Sequence, residues 1–172
     1  MFTLLKLLRS LVKTLHSDGS PAQIAFGIAL GAALGLTPIA NVHNLLVVLL
    51  LAVLNVSFAA GMFAWAVFVP VGFMLDPMFD RLGRVLLVDT PALRPLWTTW
   101  DNVPDLALTN FNNTVVLGSV LVWLLLFVPL YLASRLGVVR YRATIGERVK
   151  NSRYYKLLEA SQLYNVYRWF RP

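Results

Sequence analysis

No formally charged side chain occurs from Gly19 to Leu75, and that gap limits what the chain can become more than any motif in it. An Asp, Lys or Arg at the centre of a bilayer costs about 2.5–3.5 kcal/mol on insertion scales, whereas water imposes no such exclusion. The stretch is therefore predicted to lie within a membrane. Composition agrees, because 58% of the residues are hydrophobic and only 13% are charged, against globular norms of roughly 45–50% and about 25%. The formal net charge of +7 flanks apolar segments instead of forming a patch on a soluble surface. Membrane lipids of an anionic leaflet, and no nucleic acid, are the expected partners. With no cysteine present, disulfides, thiolate metal sites and cysteine nucleophiles are excluded.

Helix signals divide the charge-free stretch. Ser20 suits an N-cap and Pro21 a first helical turn, where no backbone N–H is needed. A helix is predicted from Pro21 to Leu36 or Thr37, ending where Pro38, Asn41 and Asn44 gather breaking and polar groups. A second apolar run covers residues 45–54 and stops at Asn55-Val56-Ser57; a third covers residues 58–75, with Pro70 and Gly72 expected to kink it. Three complete crossings need about 20 residues each plus turns, more than residues 21–75 supply.

Charge parity sharpens the topology. Lys6, Arg9 and Lys13 mark the N-terminal side, and the basic residues from Arg135 to Arg171 mark the C-terminal side, so both termini are expected in the cytoplasm. Residues 76–113 hold three arginines against five aspartates and should face outward. The simplest solution is a re-entrant hairpin of residues 21–36 and 45–54, one crossing by residues 58–75 and a return by residues 114–134. Three shortened crossings before the loop are the alternative.

The fold class expected is an all-α membrane protein: re-entrant or short broken helices plus about two full transmembrane helices, flanked by basic amphipathic interfacial helices. Residues 1–17 read as a cytoplasmic amphipathic helix, since Lys6, Arg9 and Lys13 lie opposite a face of Phe2, Leu4, Leu8, Leu11 and Leu15 and interrupt the run that a signal peptide needs. Residues 20–75 form the membrane domain and 76–113 a periplasmic loop entered at Asp76-Pro77, with an interfacial helix around Met78 to Leu86. Trp97 and Trp100 fit an aromatic belt, 114–135 a transmembrane helix and 136–172 a basic cytoplasmic tail. Arg140, Arg142, Arg148 and Lys150 join Lys6, Arg9 and Lys13 as membrane-surface residues.

Two constellations stand out. Gly27, Gly31 and Gly35 repeat a small-xxx-small spacing that lets helix backbones approach closely, within the hairpin or against another chain. Thr37, Pro38, Asn41, His43, Asn44 and Asn55, with Gln23 nearby, put polar groups beside a broken helix; they are either a ligand site or caps for the freed backbone. His16 and His43 are the only histidines, so no paired-histidine metal site is expected. Asp76 and Asp80 are spaced for paired carboxylate chemistry, yet Arg81 and Arg84 beside them favour an ion-pair network.

The run of Ser20-Pro21, Ala25, Gly27, Ala29, Gly31, Gly35, Pro38, Asn55, Asp76-Pro77 and Gly83 resembles a bacterial membrane family catalogued as domain of unknown function 2062. A subfamily is similar also in Leu-Thr-Asn-Phe-Asn-Asn-Thr, here residues 108–114, and in Leu-Tyr-Asn-Val-Tyr-Arg-Trp-Phe, here residues 163–170. The resemblance implies a bacterial inner-membrane location and supplies no activity. The expectation is a non-enzymatic scaffold or accessory subunit, bound to another membrane protein or to itself, with no cofactor or metal. A small oligomeric transporter or lipid-handling protein is the alternative.

Overall fold

In the computed structural model the structure describes residues 19–39 and 41–146, and among these every regular element is helical. The amphipathic segment with Lys6, Arg9 and Lys13, and the tail with Arg148 and Lys150, lie outside the described residues. The elements are α1 (Pro21–Leu36), α2 (Val42–Val53), α3 (Phe58–Arg84), α4 (Arg94–Asp101), the single turn α5 (Pro104–Ala107) and α6 (Thr114–Tyr141). Two continuous helical stretches, Phe58–Asp89 and Thr114–Thr144, are long and apolar enough to cross a membrane by length and composition.

The start of α1 follows from its sequence. Ser20 Oγ accepts from the Gln23 amide at 3.2 Å and Gln23 Oε1 accepts from the Ser20 amide at 2.7 Å, a reciprocal cap that leaves no place for another partner at those donors. Apolar on all sides, α1 is buried from Ala29 to Leu36, as such a helix must be when its neighbours cover it. α3 lies along one flank and α6 along another.

Glycine makes that burial possible. A Cβ added to Gly31 would lie 2.7 Å from the Gly61 Cα, one on Gly35 would lie 2.5 Å from the Phe68 Cβ, and one on Gly72 would strike the Gly35 carbonyl. α1 and α3 therefore run parallel with backbones touching, from Gly27 beside Ser57 to Gly35 beside Gly72. α6 returns antiparallel, with Gly83 against Thr114 and Gly118 against the Phe79 backbone. Rings fasten α6 to α1: Phe26 meets Phe127 edge-on at 5.4 Å, and the Trp123 indole donates to the Ala29 carbonyl at 2.9 Å.

α2 doubles back beside α1. Gln23 Nε2 donates to Asn55 Oδ1 at 2.8 Å and the Ser57 amide donates to the Gln23 carbonyl at 3.1 Å. The foot of α2 and the start of α3 thus sit at the start of α1, an arrangement common to the re-entrant hairpin and to three shortened crossings. At that same end Arg142 donates to the Gly19 carbonyl at 2.8 Å.

Three boundaries differ from the sequence reading. α3 does not stop at Leu75: it continues through Pro70 and Pro77 to Arg84 and then passes into a π turn, Val85–Asp89. Asp76 and Pro77 are therefore inside a helix and are no loop entry, and Met78 to Leu86 form no separate interfacial helix. Proline removes one helical hydrogen bond, whereas fully buried Phe79 and the Gly83 contact hold this segment against α6. α6 likewise passes Arg135 and ends at Tyr141. α2 begins at Val42, so His43 and Asn44 stand in its first turn, beside the break.

Gly31→Leu and Gly118→Leu should each destabilise the purified protein by the amount expected for overpacking, about 1–3 kcal/mol or more, seen as a lower melting temperature. Gly137, with nothing within 4 Å of an added Cβ, is the internal comparison: Gly137→Ala should leave stability unchanged or raise it by up to about 1 kcal/mol. Equal effects at all three positions would contradict the packing described.

Candidate functional site

The break between α1 and α2 gathers most of the polar side chains singled out in the sequence. α1 ends on Thr37, whose single hydroxyl proton lies between the Ala33 carbonyl and Asn44 Oδ1, with Oγ1 at 2.8 Å from the first and 2.7 Å from the second. Asn44 Nδ2 donates to the Pro38 carbonyl at 2.7 Å, and Asn41 Nδ2 donates to the same carbonyl at 2.8 Å. Thr37 and Asn44 are buried, at 4% and 5% exposure. Pro38 interrupts the helix, and two asparagine amides take up the carbonyl that the interruption frees, the compensation a buried polar backbone requires.

A residue that the sequence reading did not single out completes this cluster. Asn110, at a positive φ of 55°, donates through Nδ2 to Asn41 Oδ1 at 2.7 Å. It stands in the 108–114 motif, whose other members also make specific contacts. Asn113 caps α6 by accepting from the Val115 and Val116 amides at 3.0 and 3.2 Å, and Thr114 donates to Asp80 Oδ1. Phe111 packs under Trp97 and Trp100 at 6.1 and 5.7 Å, and the Trp97 indole donates to the Leu86 carbonyl at 2.8 Å. The two tryptophans expected in an aromatic belt are thereby gathered into one cap over Phe111.

Asn55 is not part of the break. It lies at the other end of the hairpin, on Gln23. His43 makes no hydrogen bond through its buried Nε2, and the buried Trp65 Nε1 has none either, among the described residues. Asp80 pairs with Arg84 at 3.4 Å, one pair of the network expected from Asp76, Asp80, Arg81 and Arg84; Asp76 takes no part in a hydrogen bond or ion pair among the described residues. Arg140 sits exposed in the last turn of α6. Among the described residues no three His, Cys, Asp or Glu side chains are grouped to hold a metal ion.

Two cavities flank the break. One of about 530 Å³ lies between α2 and the first half of α3, lined by Asn41, Asn44, Leu45, Val48, Met62 and Trp65 among others. The second, of about 360 Å³, lies between the end of α1 and the middle of α3, with Thr37, Pro38, Gly72, Phe73 and Asp76 on its walls. The sequence signals for the missed residues were present but short. Ser57 and Gly61 repeat the small-xxx-small spacing on α3, and Asn110 follows from nothing local, since its partner lies 69 positions away.

Asn44→Leu should remove the second partner of Thr37 and one of two donors to Pro38, a loss of about 1–3 kcal/mol. Adding Thr37→Val in a double-mutant cycle should return a coupling of about 0.5–3 kcal/mol in thermal melts; strict additivity would show that the two side chains do not interact.

A protein of Treponema pallidum (strain Nichols), described as an uncharacterized protein, is 26% identical over 160 residues, covering 93% of this chain and 98% of that one. No solved structure matches the chain. The family model described as "Uncharacterized protein conserved in bacteria (DUF2062)" matches residues 5–145, which takes in the hairpin, both long helices and the Asn110 cap, and the chain belongs to that family.

Proposed function

We propose that the chain is a multi-pass protein of the bacterial inner membrane, with both termini in the cytoplasm, acting without catalysis as a scaffold or accessory subunit of a membrane assembly. The observation that carries the membrane placement is the distribution of large apolar side chains. Met74, Leu125, Phe73 and Leu45 are 81%, 75%, 72% and 69% exposed, while glycine and alanine fill the interface between α1 and α3. Such a shell in water is an aggregation surface; in hydrocarbon it is matched to its solvent. The basic residues at both ends of the sequence and the acidic loop between α3 and α6 support the orientation.

The scaffold reading draws on the break. Its amide and hydroxyl groups bind one another and the freed backbone, which fits a rigid body better than a ligand site. Two long helices enclose no pathway alone, so transport by this chain would need further copies. The lipid-handling alternative is favoured by one feature, the pair of cavities beside the break.

Two measurements separate the parts of the proposal. Alkaline carbonate extraction should leave the protein in the membrane pellet, and release into the supernatant would overturn the placement. Crosslinking in native membranes should recover an adduct of higher mass; recovery of a lone monomer would overturn the scaffold role.

A further inference from the structure

We infer that the two cavities are a single groove that holds one lipid with an amine-bearing headgroup, its ammonium at Asp76 and an acyl chain lying along α3. The inference rests on the membrane placement proposed above. Phe58, Met62 and Trp65 line the larger cavity, and Val69, Phe73 and Asp76 line the smaller. These six residues follow one another at steps of three or four, which places them on one continuous face of α3. Leu34 and Ile39 are walls of both cavities, which therefore adjoin.

Apart from Thr37, Asn41 and Asn44, whose polar groups bond one another and the freed backbone, the walls are apolar, and Asp76 places a carboxylate at one end. Asp76 makes no hydrogen bond or ion pair among the described residues, whereas Asp80 one turn later is held by Thr114 and Arg84. α1 ends beside Asp76 with no basic residue in its last turn, so its terminal carbonyls add a second source of negative potential. No Lys or Arg lines either cavity. An anionic head would meet only repulsion there, and an ammonium would find its counter-charge.

Length fits as well. Eleven residues separate Trp65 from Asp76, roughly 16 Å along a helix at 1.5 Å per residue. That is about half of a 30 Å hydrocarbon core, the depth of one leaflet. A lipid seated with its head at Asp76 would run its chain past Phe73 and Val69 to the Trp65 level, in the orientation it has in the bilayer.

The full-length protein in detergent micelles, titrated with phosphatidylethanolamine or with phosphatidylglycerol of the same acyl chains and read by native mass spectrometry, tests this. The wild type should bind the amine lipid about tenfold more tightly, a difference of about 1.4 kcal/mol. Asp76→Asn, which keeps size and shape, should erase the preference while retaining binding. Val69→Trp, which fills the groove, should weaken both lipids. Equal affinities in the wild type, or a preference that survives Asp76→Asn, would overturn the inference. Because the lipid is added to micelles, such a result leaves the membrane placement standing, and that placement is read separately by carbonate extraction.

Discussion

The contact between the Pro21–Leu36 and Phe58–Arg84 backbones, made at Gly27, Gly31, Gly35, Gly61 and Gly72, sets the position of the remaining elements. In hydrocarbon, apolar side chains gain nothing by leaving their surroundings, so helices associate through dispersion contact, and small residues maximise it. Here the approach is so close that a methyl group at Gly31 would sit within 2.7 Å of backbone carbon. Sixteen residues of α1 are thereby fixed in a slot between two longer helices, and Trp123 and Phe127 of α6 close over the open side.

Once α1 is fixed, the break beyond it has little choice. Pro38 ends the helix at the level of Gly72, and the carbonyls released at the turn need donors. Asn41 and Asn44 supply the donors, Thr37 joins them, and Asn110 ties the turn to the segment preceding α6. The polar cluster, which the sequence leaves open between ligand site and backbone caps, is therefore also the joint between hairpin and cap. α2 meets the bundle through its buried side chains Asn44, Val47 and Leu51, and the larger cavity lies between it and α3.

Much of this was readable along the chain, and the exceptions have one physical origin. The Ser20 cap, the extent of α1 and the hairpin follow from local rules of capping, proline and charge placement. α3 outruns the boundary that Asp76 and Pro77 suggest locally, because contacts from Phe79 and Gly83 to a helix far along the chain outweigh those signals. The helix-packing glycines on α1 were visible as a repeat; Gly72, Gly83 and Gly118 acquire meaning only from the partner each meets. Asn110 is the same case in polar form.

The chain lacks cysteine, so paired substitutions report geometry without background. The central claim is that the hairpin returns to its own starting point and is locked there. Gln23→Cys with Asn55→Cys, positions joined by a 2.8 Å side-chain hydrogen bond, should be bridged within one chain by a short bifunctional thiol reagent in native membranes, while Gln23→Cys with Asn41→Cys, at opposite ends of the hairpin, should not be bridged. A bridge in the second pair and none in the first would contradict the account.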